Sequence, residues 1–282
     1  MTDIDRLLKA RSFVELGARQ RAQALLDPGT FRELLGPFDR VMSPWLPRQG
    51  IVPQADDGVI IAKGQIAGRP AVIAAIEGAF QGGSMGEVGG AKIAGALELA
   101  IEDNLQGIPT CAVLLLETGG VRLQEANLGL AAIAEIHAGI VALREHQPVV
   151  GLIAGSVGCF GGMSIAAGLC SHLLVTREAR LGLNGPQVIE QEAGIDEYDA
   201  RDRPFIWSFS GGEQRMASGL VDAYVADDVD AIAQQVRQLL ATPSAVRSQR
   251  HAWFLERLAS LGNQCPPLTP SDVRSLYQGE PA

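Results

Sequence analysis

Residues 117–124 read ETGGVRLQ and residues 158–164 read GCFGGMS, so each stretch contains a Gly-Gly pair shortly after an apolar run. The preceding runs are CAVLLL at 111–116 and VVGLIA at 149–154, and their length and continuous apolar character are typical of buried strands. Further along the chain, strand and helix patterns alternate. This alternation predicts an α/β fold in layers, with helices connecting the strands.

The two glycine pairs are candidates for binding an anionic oxygen. Glycine lets another molecule approach the backbone closely, and the first N–H groups of a helix have no acceptor within the helix and lie at its positive end. If the two turns meet, their N–H groups form an oxyanion hole. We therefore predict catalytic roles for the backbone at six positions, with ordinary βα turns as the alternative. The six positions are Gly119, Gly120, Val121, Gly161, Gly162 and Met163.

Composition excludes several functional classes. The net charge is −9 and no run rich in Lys or Arg occurs, which disfavours a nucleic-acid-binding surface. No apolar run reaches the length of a membrane span, and the start MTDIDR lacks the pattern of a secretory signal. The four cysteines form no C-x-x-C pair, and the histidines show no metal-ligand spacing. We expect a cytoplasmic protein with reduced thiols, no metal, and neither nucleic-acid nor membrane partners.

The residue patterns predict three regions along the chain. These are an N-terminal helical arm with a Pro-rich segment at 1–55, a main domain at 56–262 and a tail at 263–282. Within them we predict a helix at 4–26, a short capped helix from 30, a hairpin of strands 59–66 and 71–77, a loop at 81–86, helices at 92–104, 123–144 and 162–170, strands at 109–116, 148–154 and 172–175, helices at 187–193, 204–218, 229–240 and 245–261, and a frayed tail from 263.

A second group of residues is predicted to contact a ligand. Gly83, Ser84 and Gly86 belong to a glycine-rich loop that matches neither the G-x-G-x-x-G pattern nor the Walker A pattern. Arg122 and Gln124 follow the first glycine pair, where an arginine fork could hold a carboxylate. The alternative for Arg122 is an ion pair with Glu117 or Glu125, and the alternative for the glycines is close packing.

Three motifs in order resemble those of a known family. GGSMGE at 82–87, TGGVRLQE at 118–125 and CFGGM at 159–163 are similar to the motifs of the carboxyltransferase beta subunits of acyl-CoA carboxylases. The resemblance extends over roughly residues 13–225. It implies a crotonase-like fold, a ββα superhelix, here with an N-terminal helical arm and C-terminal helices. Within this family, MSPWLPRQGIVPQ at 42–54 is similar to the beta subunits of biotin-independent malonate decarboxylases.

The resemblance implies a specific reaction. A malonyl thioester on an acyl carrier protein would lose CO₂ and leave an acetyl thioester, while backbone N–H groups hold the enolate. The chain itself would bind no biotin, metal or other cofactor, and the CoA-like phosphopantetheine arm of the carrier would present the substrate. The implied partners are a gamma subunit that completes the site, the acyl carrier protein and a carrier-transferase alpha subunit.

Departures from the family pattern leave alternatives open. No cysteine precedes Cys111, so the four-cysteine zinc ribbon of bacterial acetyl-CoA carboxylase beta subunits is missing, and only one of the two crotonase-like halves of longer enzymes fits. Val121 and Met163 replace the family's usual alanines. The alternatives are the beta subunit of a biotin-dependent acyl-CoA carboxyltransferase, a non-catalytic scaffold, and an acyl-CoA hydratase or isomerase that uses Glu117 or Glu125.

Overall fold

The computed structural model describes residues 10–50, 58–125, 127–243, 250–262 and 268–277. The strands in these ranges are β1 (Arg32–Leu35), β2 (Val59–Ile66), β3 (Arg69–Ile76), β4 (Cys111–Leu115), β5 (Val149–Ile153), β6 (His172–Thr176) and β7 (Ala223–Val225). The helices are α1 (Ala18–Leu25), α2 (Glu87–Leu105), α3 (Asn127–Leu143), α4 (Gly162–Leu169), α5 (Pro186–Ala193), α6 (Arg203–Ser210), α7 (Gly212–Ala217), α8 (Val229–Ala241), α9 (Arg250–Ala259) and α10 (Pro270–Leu276).

The strands form one sheet in the order of the chain, from β1 to β7. The first three strands pair antiparallel, and β3 to β7 pair parallel. The predicted hairpin of β2 and β3 is confirmed, with Val59 opposite Ile76 at the open end. Its turn residues Ala67 and Gly68 both have positive φ, and the carboxylate of Asp27 accepts their N–H groups at 3.1 and 2.8 Å. This pairing attaches the segment before β1 to the hairpin.

Each face of the sheet buries its own hydrophobic core. Helices α2, α3 and α4 cover one face with side chains such as Leu97, Ile136 and Met163. Helices α1 and α8 cover the other face, where Leu25 and Val236 are buried. Successive residues of β3 alternate between the two cores, as a strand covered on both faces requires. The predicted layered α/β arrangement is therefore confirmed.

The sheet determines where the functional loops lie. Strands β4 and β5 are parallel neighbours, with Leu115 paired to Leu152, so their carboxyl ends lie at the same edge. A loop connects each of these strands to one glycine pair, at Gly119 after β4 and at Gly161 after β5. In open α/β sheets this edge is the usual place for ligand binding.

The N-terminal segment differs from the prediction in two places. Residues 30–35 form no capped helix, because the Thr30 hydroxyl bonds to the Asp27 carbonyl instead and the chain then continues as strand β1. Of the predicted helix at 4–26, the described part is helical from Ala18; residues 10–17 follow an irregular path, because the carboxylate of Asp227 accepts the N–H groups of Phe13 and Val14.

The C-terminal half differs in three further places. The predicted helix at 204–218 is broken at Gly211. The Leu181 N–H group donates to the Ser210 carbonyl and the Gly212 N–H group donates to the Ala179 carbonyl, so this part of the chain pairs with the segment after β6 instead of continuing the helix. Strand β7 was missed. The tail expected to fray contains helix α10, which Thr269 caps at its first turn. The parts of the predictions at 1–9, 51–57, 126, 244–249, 263–267 and 278–282 lie outside the described residues.

The described residues contain neither a membrane-spanning helix nor a cluster of metal ligands. None of the helices there combines the length and apolar character that crossing a bilayer requires. The same residues hold no group of three or more His, Cys, Asp or Glu side chains that could coordinate a metal ion.

Burial should make two cysteines unreactive. Cys111 and Cys159 are fully buried free thiols; burial raises the pKa of Cys111 to about 11 and raises that of Cys159 even further. Because the thiolate is the reactive form, we expect neither residue to be alkylated by iodoacetamide in the native protein at pH 8. Peptide mapping after labelling, with urea-unfolded protein as the control, checks this. Rapid native labelling of either cysteine would contradict the described packing.

Candidate active site

The two glycine pairs meet in the structure. A methyl group placed on Gly120 would lie 3.5 Å from the Cα of Gly161, and one placed on Gly161 would lie 3.3 Å from the Cα of Gly120. Both residues also have positive φ, at +109° and +60°. Glycine tolerates such conformations far better than other residues and leaves room for two backbones to approach. The sequence signal of paired glycines therefore marks a real contact between neighbouring βα turns.

Backbone hydrogen bonds continue the sheet pairing into this contact. The Thr118 N–H group donates to the Gly158 carbonyl at 2.7 Å, and the Phe160 N–H group donates to the Thr118 carbonyl at 3.1 Å. Together they form a short parallel bridge beyond the ends of β4 and β5. The bridge fixes the first turn relative to the second before either glycine pair begins.

A second bridge fixes the other side of the first turn. The Met85 N–H group donates to the Gly120 carbonyl at 2.7 Å, and the Arg122 N–H group donates to the Met85 carbonyl at 2.8 Å. The bridge pairs Met85 with Val121 in parallel fashion. The glycine-rich loop before α2 is thereby hydrogen-bonded to the first of the two glycine turns.

The six backbone N–H groups predicted to be catalytic divide into two sets. Those of Gly119, Gly120 and Gly161 donate to the Gly82 carbonyl, the Thr118 hydroxyl and the Leu183 carbonyl at 2.9, 3.1 and 2.7 Å. No described residue accepts a hydrogen bond from the N–H groups of Val121, Gly162 or Met163. These three donors have the chemistry that an oxyanion requires, and a methyl placed on Gly161 would be 3.9 Å from the Val121 nitrogen.

Helix α4 begins at the second glycine pair, with Gly161 as its N-cap. The Gly162 carbonyl accepts a hydrogen bond from His137 Nε2 at 2.8 Å, and the Ser164 hydroxyl donates to the Gly161 carbonyl at 2.7 Å. The N-terminal end of the helix, with its free N–H groups and the positive end of its dipole, therefore lies next to Val121. His137 supports this helix start, a role that no spacing in the sequence indicated.

The side chain of Arg122 forms hydrogen bonds with other residues of the chain. Its side chain is buried, its Nη1 group donates to Glu125 at 2.9 Å, and its other nitrogens donate to the hydroxyl and carbonyl of Ser84 at 3.2 and 3.0 Å. The ion pair with Glu125, given as the alternative, is confirmed. The guanidinium also holds the glycine-rich loop, and contact of Arg122 with a ligand stays a prediction. Glu125 uses its second oxygen to accept the N–H group of Glu87 at the start of α2.

The other predicted ligand residues lie around this loop. Gly83 packs against the Glu117 carbonyl and Gly86 against the Glu125 carboxylate, so a side chain at either position would collide with the protein. Ser84 is half-buried beside Arg122, and Gln124 is exposed. The packing explains the glycines, and contact of these residues with a ligand stays a prediction.

Glu117 joins the site to the N-terminal helix. Its carboxylate pairs with Arg21 of α1, and both side chains are 8% exposed. The same carboxylate accepts the Val157 N–H group at 3.3 Å and lies against Gly155, in the loop between β5 and the second glycine pair. Arg21 is further held by the carbonyls of Phe13 and Val14. The ion pair thus supports the turns that follow β4 and β5. The sequence does not indicate Arg21 as the partner of Glu117, because the two residues are 96 positions apart.

A cavity of about 380 Å³ lies next to α4. Ser164, Leu183, Arg215 and His251 are among its lining residues, and burial lowers the pKa of Arg215. None of the six predicted catalytic residues lines it. Gly119 is exposed and Gly161 and Gly162 are partly exposed, so the two turns face outward from the chain.

The chain is similar to known carboxyltransferases. A family model described as the carboxyl transferase domain matches residues 11–277. The malonyl-S-ACP:biotin-protein carboxyltransferase MADC of Malonomonas rubra is 39% identical over 246 residues, which cover 84% of this chain and 77% of that protein.

Two solved structures are also similar. A Pseudomonas malonate decarboxylase hetero-tetramer in complex with malonate contains a chain that is 70% identical, with a TM-score of 0.90, covering 98% of this chain and 100% of that one. A Pseudomonas malonate decarboxylase MdcD-MdcE hetero-dimer contains a chain that is 64% identical, with a TM-score of 0.75, covering 88% and 97%. These likenesses confirm the resemblance to carboxyltransferases and the predicted crotonase-like fold class.

Removing the Glu117 charge should destabilise the protein strongly. In the Glu117→Gln variant Arg21 keeps a buried, unpaired charge, and we expect the free energy of unfolding to fall by about 3–5 kcal/mol. The control is Arg19→Ala, two residues away on α1, which breaks a more exposed pair with Glu33 and should cost at most about 1 kcal/mol. Urea unfolding measures both. Equal losses for the two variants would show that the buried pair has no special supporting role.

Proposed function

The chain belongs to the carboxyl transferase family, and on that premise we propose that it is the beta subunit of a malonate decarboxylase. In the proposed reaction the bond between the malonyl carboxylate and the α-carbon breaks and CO₂ leaves. The electron pair of that bond moves into the thioester, whose carbonyl oxygen becomes an enolate oxyanion. A proton then adds to the α-carbon and gives the acetyl thioester.

One observation carries the proposal, namely the free N–H groups of Val121, Gly162 and Met163 at the point where two βα turns touch. They are fixed before substrate binds, so they need no reorganisation when negative charge develops on the thioester oxygen. Removing one donor of this kind from an enzyme typically costs about 2.7–4 kcal/mol of transition-state stabilisation. An electron sink built from backbone N–H groups suits decarboxylation, because the departing CO₂ leaves its electron pair behind.

We further propose that CO₂ is released rather than transferred to biotin. The chain is more similar to the solved malonate decarboxylase chains, at 70% and 64% identity, than to the biotin-protein carboxyltransferase of Malonomonas rubra, at 39%. That relative keeps the biotin-dependent reaction as the second candidate. Both reactions pass through the same enolate and differ only in what receives CO₂.

The remaining alternatives have less support. An acyl-CoA hydratase or isomerase needs a free carboxylate beside the hole, whereas Glu117 and Glu125 are both held in buried ion pairs. A non-catalytic scaffold has no need for unpaired N–H donors beside two glycines of positive φ. The metal-free and biotin-free reaction needs only these donors from this chain, and the phosphopantetheine arm of an acyl carrier protein is the proposed carrier of the substrate.

A partner subunit is proposed to cover the glycine turns. Leu123 and Leu183 flank the two turns, and they are 82% and 62% exposed. Large apolar side chains at such positions favour a protein interface. The similar solved structures are a hetero-tetramer and a hetero-dimer. We propose a gamma subunit at this surface, with the acyl carrier protein and a carrier-transferase alpha subunit as further members of the complex.

Two further proposals concern the chain as a whole. We propose the division into an arm at 1–55, a main domain at 56–262 and a tail at 263–282, with the arm attached through α1 and β1 to the sheet. We propose the cytoplasm as its location, because Cys111, Cys159 and Cys170 are buried free thiols that suit a reducing compartment.

The reaction can be measured directly. We expect the chain, together with its gamma subunit, to release CO₂ from malonyl carrier protein at the same rate with and without avidin and a metal chelator. Omitting the gamma subunit should abolish most turnover, since the glycine turns are then left open to water. Loss of activity with avidin would favour the biotin-dependent alternative, and loss with chelator would refute the metal-free reaction. Full activity of the isolated chain would refute the need for a partner.

Gly162 allows a matched test of the proposed hole. Gly162→Pro removes one free N–H group at the first residue of α4, where proline is well tolerated, whereas Gly162→Ala keeps it. Both add a β-carbon about 2.9 Å from Ile133, so this crowding is shared. We expect kcat of the proline variant to fall by about 10²–10³ relative to the alanine variant. Circular dichroism and gamma-subunit binding establish folding. Equal turnover of the two folded variants would show that this N–H group has no catalytic role.

A further inference from the structure

A second cavity, of about 860 Å³, lies beside the loop after β5, the segment after β6 and helices α6 and α7. We call it the arginine pocket. Its charged lining residues are Arg177, Arg180, Arg203, Arg274, Glu178 and Glu213. None of the predicted catalytic or ligand-binding residues lines this pocket, and the proposed decarboxylation makes no use of it.

The arginine pocket has surplus positive charge in an acidic protein. Its four arginines face two glutamates, while the whole chain carries a net charge of −9. Arg274 is 3.7 Å from Glu213, but no described carboxylate is within ion-pair distance of Arg177, Arg180 or Arg203. Burial lowers the pKa of Arg180, and the charge of Arg203 adds to that effect. These three arginines have no carboxylate partner among the described residues, so an anion that enters this concave space would meet positive charge that no acidic side chain neutralises.

Arg180 is held ready for such a ligand. Its guanidinium lies between the rings of Phe160 and Trp207, at 5.5 and 4.6 Å from their centroids, and one nitrogen donates to the Ser156 carbonyl at 2.6 Å. No described group accepts from its Nη1 atom, and its Nε atom is buried without an acceptor. A guanidinium group that is stacked on aromatic rings and already hydrogen-bonded through one nitrogen loses little conformational freedom when it binds an anion.

We propose that the arginine pocket binds a small dianion, of the phosphate or short dicarboxylate class. The planar arginine fork matches the paired oxygens of both groups, and several arginines around one space favour two negative charges over one. The volume is within the range of small-molecule sites, and the concave shape suits a small ligand better than the surface of another protein. The inference does not depend on the proposed reaction.

The test is isothermal titration of the full-length chain with inorganic phosphate and, separately, with malonate, both against sodium chloride at matched ionic strength. We expect saturable binding of at least one of the two dianions. Arg203→Gln, which changes an exposed side chain at the start of α6, should weaken that binding about tenfold, as expected for the loss of one charge-assisted contact. The control Arg237→Gln alters an arginine of α8 outside the pocket and should leave the affinity unchanged.

Each outcome has a definite meaning. Binding of phosphate alone assigns the phosphate class, and binding of malonate alone assigns the dicarboxylate class. Because malonate could also bind at the glycine turns, equal affinities of the wild type and Arg203→Gln would place the ligand elsewhere and overturn the proposal. Absence of binding by both dianions would overturn it as well. If an acyl carrier protein without its prosthetic arm binds at this surface and the dianions do not, the surface is a protein-docking face instead.

Discussion

The contact between the backbones of Gly120 and Gly161 is the constraint on which the site depends. A β-carbon at either position would lie 3.3 Å from the backbone of the other turn, which is tighter than usual, and the positive φ angles disfavour residues other than glycine. With both glycines in place, the hydrogen bonds of Thr118 with Gly158 and Phe160 hold the two turns together, and the Gly161 N–H group attaches the second turn to Leu183. The free N–H groups on either side then point from a rigid frame, which is what makes electrostatic stabilisation effective.

The buried acidic side chains near this contact support the backbone rather than perform chemistry. Glu117 bonds to Arg21 and to the loop before the second turn, and Glu125 bonds to Arg122 and to the start of α2. A reaction that removes a proton from carbon needs a free carboxylate or another base. Decarboxylation does not, because the bond that breaks supplies the electrons. Because both carboxylates are held in ion pairs, neither is free to act as a base. This arrangement therefore fits decarboxylation, which needs groups that stabilise the enolate oxygen and needs no base.

The sequence predicted those parts of the fold that local pattern determines. The hairpin, the buried strands and the turns at the two glycine pairs follow from periodicity and from glycine itself. The sequence predicted the fold poorly where hydrogen bonds to residues far along the chain override the local helix pattern. The Thr30 hydroxyl forms its bonds with Asp27 and the β2 edge instead of capping a helix, and Asp227 captures the backbone of Phe13. Arg21 could not be found as the partner of Glu117, because only the packing of α1 under the sheet brings them together.

The exposure of the glycine turns explains why a partner surface belongs to the proposed mechanism. Gly119 is exposed, and Gly161 and Gly162 are partly exposed. In water, N–H groups would stabilise an enolate oxygen only modestly, because the solvent screens their dipoles and competes for the oxygen. The same groups become far more effective when a second surface excludes water. In the proposed mechanism the chain therefore provides the fixed donors, and the partner provides the low-dielectric surroundings in which those donors act.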